Sequence, residues 1–145
     1  MDRLDLSALT PTPYGALHQM NTDVEQSAVA AGVDPKLLEL LRLRASHLNG
    51  CEFCLGLHTR RARELGETDQ RIQAVADWDS SGEFDEPEQA ALALADSITR
   101  LDTGVPDEHY KPVREHFDDQ QTAGLVWTAS LINLLNRLAI SSTSS

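Results

Sequence analysis

The sequence predicts an all-α fold: a single compact domain of about six to seven helices, with a helical hairpin at its core. Apolar residues recur at helical spacing, and capping residues and glycines punctuate the chain at intervals that suit helices. No run alternates apolar and polar residues as a half-exposed strand would. At 145 residues, the chain is long enough to form one domain with its own core.

Caps and helix breakers set the predicted helix boundaries. Residues 1–15 contain two prolines and are expected to form an extended arm. Gly32 ends the first helix, and Asp34 followed by proline begins the second, because aspartate caps a helix and proline suits its first turn. Asn49 followed by glycine is a strong stop signal for the second helix. The predicted helices span about 16–31, 36–48, 51–65, 68–78, 86–101, 107–117 and 119–140.

The later helices are bounded in the same way. Gly66 ends the third helix, a loop at 79–82 follows the fourth, and 103–106 breaks the chain before the sixth. The last helix, 119–140, is apolar around most of its circumference and must be buried on all sides. A second subunit is expected to cover part of it, so we predict a homo-oligomer. The tail, 141–145, is expected to be disordered.

Composition and charge exclude several classes of function. The formal net charge of −11 argues against nucleic acid as a partner, because duplex binding needs clustered Lys and Arg. No apolar run approaches the roughly 18 residues of a membrane span, so no membrane association is predicted. The opening residues lack the basic start and apolar stretch of a secretory signal. We therefore expect a cytoplasmic protein.

The most informative segment carries two cysteines and a histidine. If a helix begins just after Gly50, Cys51, Cys54 and His58 lie on one stripe of it, and the last two are one turn apart. Lowering a thiol pKa from about 8.5 to 7 takes roughly 2 kcal/mol, more than the ~0.3–1 kcal/mol that a helix N-terminus typically supplies. A neighbouring imidazole can supply the rest by accepting the proton. The second cysteine can then convert a sulfenic acid into a disulfide.

Two other interpretations of this stripe remain open. The cysteines could be small core residues beside a structural histidine, since cysteine is often simply buried. Alternatively, His47, Cys51, Cys54 and His58 could form a Cys2His2 zinc site, but structural zinc sites usually join two ligand pairs across a loop. Dithiol redox chemistry is the favoured interpretation, and it requires no bound metal or cofactor.

The residues around this stripe resemble a known family. The run 40–58, with Glu39 twelve residues before Cys51, matches a pattern of glutamate, eleven residues and then C-x-x-C-x-x-x-H. The segments 67–72, 88–95 and 133–139 also look like the later helices of that family, and the likeness spans 37–140. The sequence resembles the alkylhydroperoxidase D group of the carboxymuconolactone decarboxylase superfamily.

The resemblance implies a thiol-dependent peroxidase that reduces hydrogen peroxide or organic hydroperoxides in antioxidant defence. It implies that Cys54 is the peroxidatic cysteine, that Cys51 resolves it, and that His58 and Glu39 form the proton relay. Family members are helical homo-oligomers, commonly trimers or hexamers, re-reduced by dithiol partners; a lipoylated or thioredoxin-like protein is therefore the expected reductant. His47 stands where glutamine is common in the family, which leaves the relay intact.

Two alternatives to peroxidase function stay open. The superfamily's other branch implies lactone decarboxylation, which does not need a cysteine pair, and a redox-sensing module would use the dithiol without catalysis. Glu39 is also ambiguous, because a helical wheel places Arg42 on its stripe and most leucines opposite. It is either a solvated partner of Arg42 or part of a buried relay. A hairpin reversal at Gly50 would bring it level with His58 and leave Cys54 out of its direct reach.

Overall fold

The structure, a computed structural model, describes residues 1–143, and this part of the chain is helical throughout, with no β-strand. The all-α prediction is confirmed. Short helices at the N-terminus and before the fifth predicted helix raise the number above the six to seven expected. The helices are α1 (Leu6–Leu9), α2 (Pro11–Ala30), α3 (Pro35–Asn49), α4 (Glu52–Glu64), α5 (Asp69–Ala74), α6 (Trp78–Ser81), α7 (Glu86–Arg100), α8 (Asp107–His116) and α9 (Asp119–Ser141), with a 3₁₀ turn at Val75–Asp77.

The extended arm predicted for residues 1–15 is wrong. The side chain of Asp5 accepts hydrogen bonds from the amides of Ser7 and Ala8 and so caps α1, and α2 begins directly at Pro11. Prolines do not interrupt a helix here because the amides of its first turn have no intrahelical acceptor, so a missing N–H costs nothing. Prolines at this position mark the start of the helix.

Two further boundaries differ from the prediction. The fourth predicted helix, 68–78, divides into α5 and the 3₁₀ turn, and the predicted loop at 79–82 contains most of α6. Part of the tail predicted to be disordered over 141–145 is ordered, because Ser142 donates a hydrogen bond to the carbonyl of Leu138 and Thr143 also makes hydrogen bonds. The remaining residues, 144 and 145, lie outside the described part of the chain.

A sharp reversal at Gly50 joins α3 to α4. Gly50 adopts the left-handed conformation, with φ 67°, which a residue with a side chain rarely takes. The amide of Cys51 donates to the carbonyl of Ser46, and the amide of Gly50 to that of His47, which closes the end of α3. The predicted helical hairpin is therefore present, and its turn places the C-x-x-C segment beside α3.

Helix α3 lies at the centre of the fold and packs against α4, α7 and α9. Because neighbours surround it, its charged side chains Glu39, Arg42 and Arg44 are buried along with its leucines. The apolar core that it organises is completed mainly from α7 and α9. The largest fully buried apolar side chains of this core are Leu38, Leu40, Leu41, Leu43, Leu92, Leu94, Leu125 and Ile132.

Helix α9 is only partly enclosed by the rest of the chain. It packs on α2, α3 and α7, but Trp127 and Leu134 remain 53% and 45% exposed. Among the described residues, α9 alone is long and apolar enough by composition to cross a membrane, and 44% of its most apolar window is buried in the protein. The predicted covering of α9 by a second subunit stays a prediction.

An ion pair fastens α3 to α7. The Arg44 guanidinium donates from Nε to Oδ1 of Asp96 at 2.6 Å and from Nη2 to Oδ2 at 3.1 Å, a two-point geometry that restricts the orientation of both side chains. Arg44 also donates to the carbonyl of Ala76 at 2.6 Å, and the Trp78 indole donates to Asp96. The 3₁₀ turn and α6 are thereby held against the same pair.

The contact between α2 and α9 gives a stability prediction. A Cβ added at Gly124 would lie 2.7 Å from the Cβ of Ala28, so Gly124→Ala should lower the melting temperature although alanine favours a helix by about 1 kcal/mol. Overpacking of this kind typically costs about 1–3 kcal/mol. The matched control is Gly15→Ala, which meets nothing within 4 Å and should stabilise the protein slightly. Equal melting temperatures for the two variants would contradict the close packing.

Candidate active site

The two cysteines form a disulfide at the start of α4, with their Cα atoms 5.3 Å apart. Cys51 is the N-cap of the helix, and its Sγ accepts a hydrogen bond from the amide of Cys54 at 3.3 Å. The helix start predicted near Cys51 is therefore confirmed. A helix N-terminus favours negative charge, so this position stabilises a sulfur that becomes a thiolate when the disulfide opens.

Glu39 and His58 make a buried hydrogen bond across the helical hairpin. Nδ1 of His58 lies 2.7 Å from Oε2 of Glu39, and both side chains are almost completely buried, at 5% and 2% exposure. When Nδ1 carries the proton and donates to the carboxylate, the other ring nitrogen, Nε2, is a proton acceptor. Within residues 1–143 Nε2 makes no hydrogen bond. The carboxylate thus orients the ring and sets its tautomer.

Arg42 occupies the second oxygen of the same carboxylate. Its Nη1 lies 2.7 Å from Oε1 of Glu39 and 3.0 Å from Oε1 of Glu25, which projects from α2 and is 38% exposed. Burial alone would raise the pKa of the Glu39 carboxyl, but the His58 hydrogen bond and the charge of Arg42 outweigh it and hold the pKa below its ordinary value. The expected pairing of Glu39 with Arg42 is confirmed, but the carboxylate is buried and not solvated. Glu39 also contacts His58, and its part in a proton relay stays a prediction.

A cavity of about 120 Å³ opens beside the disulfide. Cys54 and His58 line it, whereas Cys51 and Glu39 do not. His18 and Arg61 add polar groups to its wall. Most of the wall is apolar and comes from α1, α2, α4 and α9, through Leu6, Leu17, Leu57, Ile132, Leu135 and Leu138. The cavity can take a small apolar molecule with its reacting atom at Cys54.

The two end segments of the described chain meet at this cavity. The amide of Thr143 donates to the carbonyl of Leu4 at 2.9 Å, and its hydroxyl donates to the carbonyl of Arg3 at 2.8 Å. Thr143, Ser142 and Asp5 all belong to the cavity wall. The segment before α1 and the end of α9 together close one side of the cavity.

A buried amide network, which the sequence analysis did not identify, fixes the reversal that carries the cysteines. Nδ2 of Asn49 donates to the side-chain oxygens of Asn133 and Asn136 at 2.8 and 3.0 Å, and Nδ2 of Asn136 donates to the hydroxyl of Ser46. The available signal was the pair of asparagines, three residues apart, inside the otherwise apolar α9. Satisfied buried amides of this kind restrict register, so α9 holds the last turn of α3 in place.

The structure brings together the four residues that the sequence analysis assigned to the site. Cys51 and Cys54 are bonded, Glu39 contacts His58, and His58 and Cys54 share the cavity. His47, the fourth ligand of the alternative zinc site, is exposed near the end of α3. In the described part of the chain, no three His, Cys, Asp or Glu side chains are placed to hold a metal ion. Arg42 and Asn49 are the neighbours that the sequence motif does not include.

Comparison with known proteins yields one family. The family model of the carboxymuconolactone decarboxylase family matches residues 15–97. The uncharacterized protein YdfG of Bacillus subtilis is 40% identical over 119 residues, which are 81% of this chain and 81% of that protein. A protein of unknown function from Agrobacterium tumefaciens, described as a candidate antioxidant defence protein AhpD, superposes with a TM-score of 0.92 at 29% identity and covers 100% of this chain and 97% of its own.

A more distant structure has the same fold. The alkylhydroperoxidase AhpD core of a peroxidase-related protein from Ralstonia eutropha has a TM-score of 0.83 at 19% identity, over 94% of this chain and 71% of that one. At this identity the likeness concerns the fold alone. The helical arrangement described above is therefore shared well beyond closely similar sequences.

The buried Glu39 carboxylate predicts a pH-dependent stability difference. Because folding lowers its pKa, its stabilising contribution is fully present above the unfolded value of about 4.3 and is lost as the pH falls through the folded value. Glu39→Gln should therefore destabilise the protein at pH 7, by about 3–5 kcal/mol as for other broken buried pairs. The difference from the wild type should shrink as the pH falls below about 4.3.

Chemical denaturation at a series of pH values measures this difference. The control is Glu64→Gln, which changes an exposed glutamate at the end of α4 and should alter stability little at any pH. A Glu39→Gln difference that stays constant from neutral to acid pH would show that folding does not lower the pKa of the Glu39 carboxyl.

Proposed function

Because the chain belongs to the carboxymuconolactone decarboxylase family, we propose that it is a thiol-dependent peroxidase of the alkylhydroperoxidase D type, reducing hydrogen peroxide or organic hydroperoxides. One observation carries the proposal: a C-x-x-C pair able to form a disulfide has one sulfur in an apolar cavity, beside a histidine oriented by a buried carboxylate. This arrangement combines a nucleophile, a base and a resolving thiol.

Proton transfer from Cys54 begins the cycle in the reduced protein. Nδ1–H of His58 donates to Glu39, so Nε2 is the nitrogen that accepts the Cys54 proton. The two side chains lie one helical turn apart on α4 and share the cavity. The product is a Cys54 thiolate beside an imidazolium, and the thiolate is the form that attacks a peroxide.

Oxidation of Cys54 follows. The thiolate attacks the terminal oxygen of the hydroperoxide, so that a sulfur–oxygen bond forms as the oxygen–oxygen bond breaks. The alkoxide that leaves takes the proton from the His58 imidazolium and departs as the alcohol, or as water when the substrate is hydrogen peroxide. Cys54 is then a sulfenic acid, oxidised by two electrons, and the peroxide is reduced by two.

Cys51 resolves this intermediate. Its sulfur attacks the sulfur of the sulfenic acid, the disulfide forms, and hydroxide leaves with the Cys51 proton as water. The Cα separation of 5.3 Å suits this bond without unwinding α4. The disulfide returns to the dithiol by exchange with an external dithiol, for which we propose a lipoylated or thioredoxin-like protein. Such a cycle needs a reducing compartment, so we place it in the cytoplasm.

The surface of α9 supports a further part of the proposal. Trp127 and Leu134 remain about half exposed on α9, a predominantly apolar helix. The two side chains are seven residues apart and so lie on one face of α9, and an exposed apolar patch is typical of subunit contacts. We propose a homo-oligomer, either a trimer or a hexamer, in which a second copy covers this face.

The decisive prediction concerns Cys54. The reduced wild-type protein should consume about one equivalent of peroxide without added reductant and form the Cys51–Cys54 disulfide, visible by mass spectrometry as the loss of two hydrogens. Cys54→Ser should abolish consumption, because no other thiol lines the cavity among the described residues. Cys51→Ser should stop at a sulfenic acid on Cys54 that a dimedone probe traps. His58→Gln should slow the reaction by about 10²–10⁴-fold.

The matched control is His116→Gln, which changes an exposed histidine near the end of α8 and should react like the wild type. Thiols that remain unchanged in excess peroxide would refute the proposal. Lactone decarboxylation that survives Cys54→Ser would favour the superfamily's other activity. Oxidation that alters partner binding without catalytic turnover would favour a redox sensor.

A further inference from the structure

Each of the two oxygens of the Glu39 carboxylate already has a hydrogen-bond partner. Oε1 lies 2.7 Å from Arg42 Nη1, and Oε2 lies 2.7 Å from His58 Nδ1. In a relay that moves protons along its whole length, the glutamate would accept the proton that His58 releases from Nδ1. A carboxylate already paired with a buried guanidinium is a poor acceptor, since protonation would leave the cation uncompensated away from water.

We infer that Arg42 is a positioning residue of this site: it pins the Glu39 carboxylate with Oε2 against His58 Nδ1 and keeps it anionic, so the proton from Cys54 stays on the His58 ring. The inference rests on the proposed function, because it concerns how Cys54 is activated. The proton moves from Cys54 to Nε2 and from there to the leaving alkoxide, and Glu39 gains none. Arg42 touches neither cysteine and lies outside the glutamate, cysteine and histidine motif.

The attraction between Arg42 and Glu39 is strong because both side chains are buried. The side chains of Arg42 and Glu39 are each 2% exposed, so water screens their attraction little. The Arg42 guanidinium also contacts Glu25 on α2, which gives it a second anchor. Two carboxylates on different helices thus hold the guanidinium in place, and it in turn fixes Glu39.

Few charged side chains around α3 face Glu39, and the others contact different partners. Arg42 on the same helix, Glu25 on α2 and His58 on α4 are the titratable groups that face the Glu39 pair. Two other helices that pack on α3 carry charged side chains with partners of their own. Asp96 of α7 pairs with Arg44, and Arg137 of α9 donates to the oxygens of Asn133. Among the described residues, Arg42 is therefore the cation that compensates Glu39.

The test follows the reactivity of Cys54 with iodoacetamide across pH 5–9 in a reduced Cys51→Ser background. Alkylation reports thiol activation even if the protein does not turn over peroxide, so failure here is distinguishable from failure of the proposed function. With Arg42 present, we expect one titration step. In Arg42→Gln the buried carboxyl should itself titrate, which adds a second acid step and slows alkylation about tenfold near pH 6.

Three variants separate positioning from a structural role. Arg42→Lys keeps a cation and should restore the single step. Glu39→Gln combined with Arg42→Gln removes the group that would titrate, so the second step should disappear. Glu25→Gln is the matched control: the glutamine oxygen can still accept from the guanidinium and the cation stays beside Glu39, so one step should remain.

An Arg42→Gln profile that matches the wild type, with only a lower melting temperature, would overturn the inference. If Arg42→Gln does not fold, infrared difference spectra of the Cys51→Ser protein against its Glu39→Gln variant decide the question. We expect no band of a protonated Glu39 carboxylic acid when Cys54 ionises. The appearance of that band would show that the proton reaches Glu39 and would equally overturn the inference.

Discussion

The site depends on one ionised group inside the protein, the carboxylate of Glu39. A buried charge is tolerated only when its hydrogen-bonding capacity is filled, and here Arg42 and His58 each fill one oxygen. Because those partners sit on α3 and α4, the carboxylate ties the two arms of the hairpin together. The contact of Arg42 with Glu25 extends the same constraint to α2, whose first half forms part of the cavity wall. The fold and the chemistry thus share one set of contacts.

Sequence alone predicted the fold class, the hairpin and the stripe of two cysteines and a histidine because each depends on local spacing, whereas Glu39 was identified only through the family resemblance. Asn49 followed by glycine marked the reversal, and the positions of Cys51, Cys54 and His58 defined one face of a helix. The burial of Glu39 was not predictable in this way. A helical wheel assumes that one face of a helix meets solvent, but α3 is surrounded, so the face opposite its leucines is also inside.

The mispredicted arm and the missed amide network have different causes. The arm at residues 1–15 was mispredicted because proline breaks a helix in its interior but not in its first turn. The amide network was missed because its members are far apart in the chain: Asn49 pairs with Asn133 and Asn136, and no local pattern links them. Polar residues inside an apolar helix indicate that some buried polar contact exists, but they do not identify its partner.

The hydrogen bonds between Thr143 and the backbone at Arg3 and Leu4 bring the two end segments of the described chain side by side. Any polypeptide fused before residue 3 or after residue 143 would therefore leave the protein next to the cavity that Cys54 lines. An affinity tag at either end is poorly placed for assays with bulky reagents or protein reductants. The same adjacency makes the chain a good subject for circular permutation, with a short linker joining these segments and new ends opened in a distant loop.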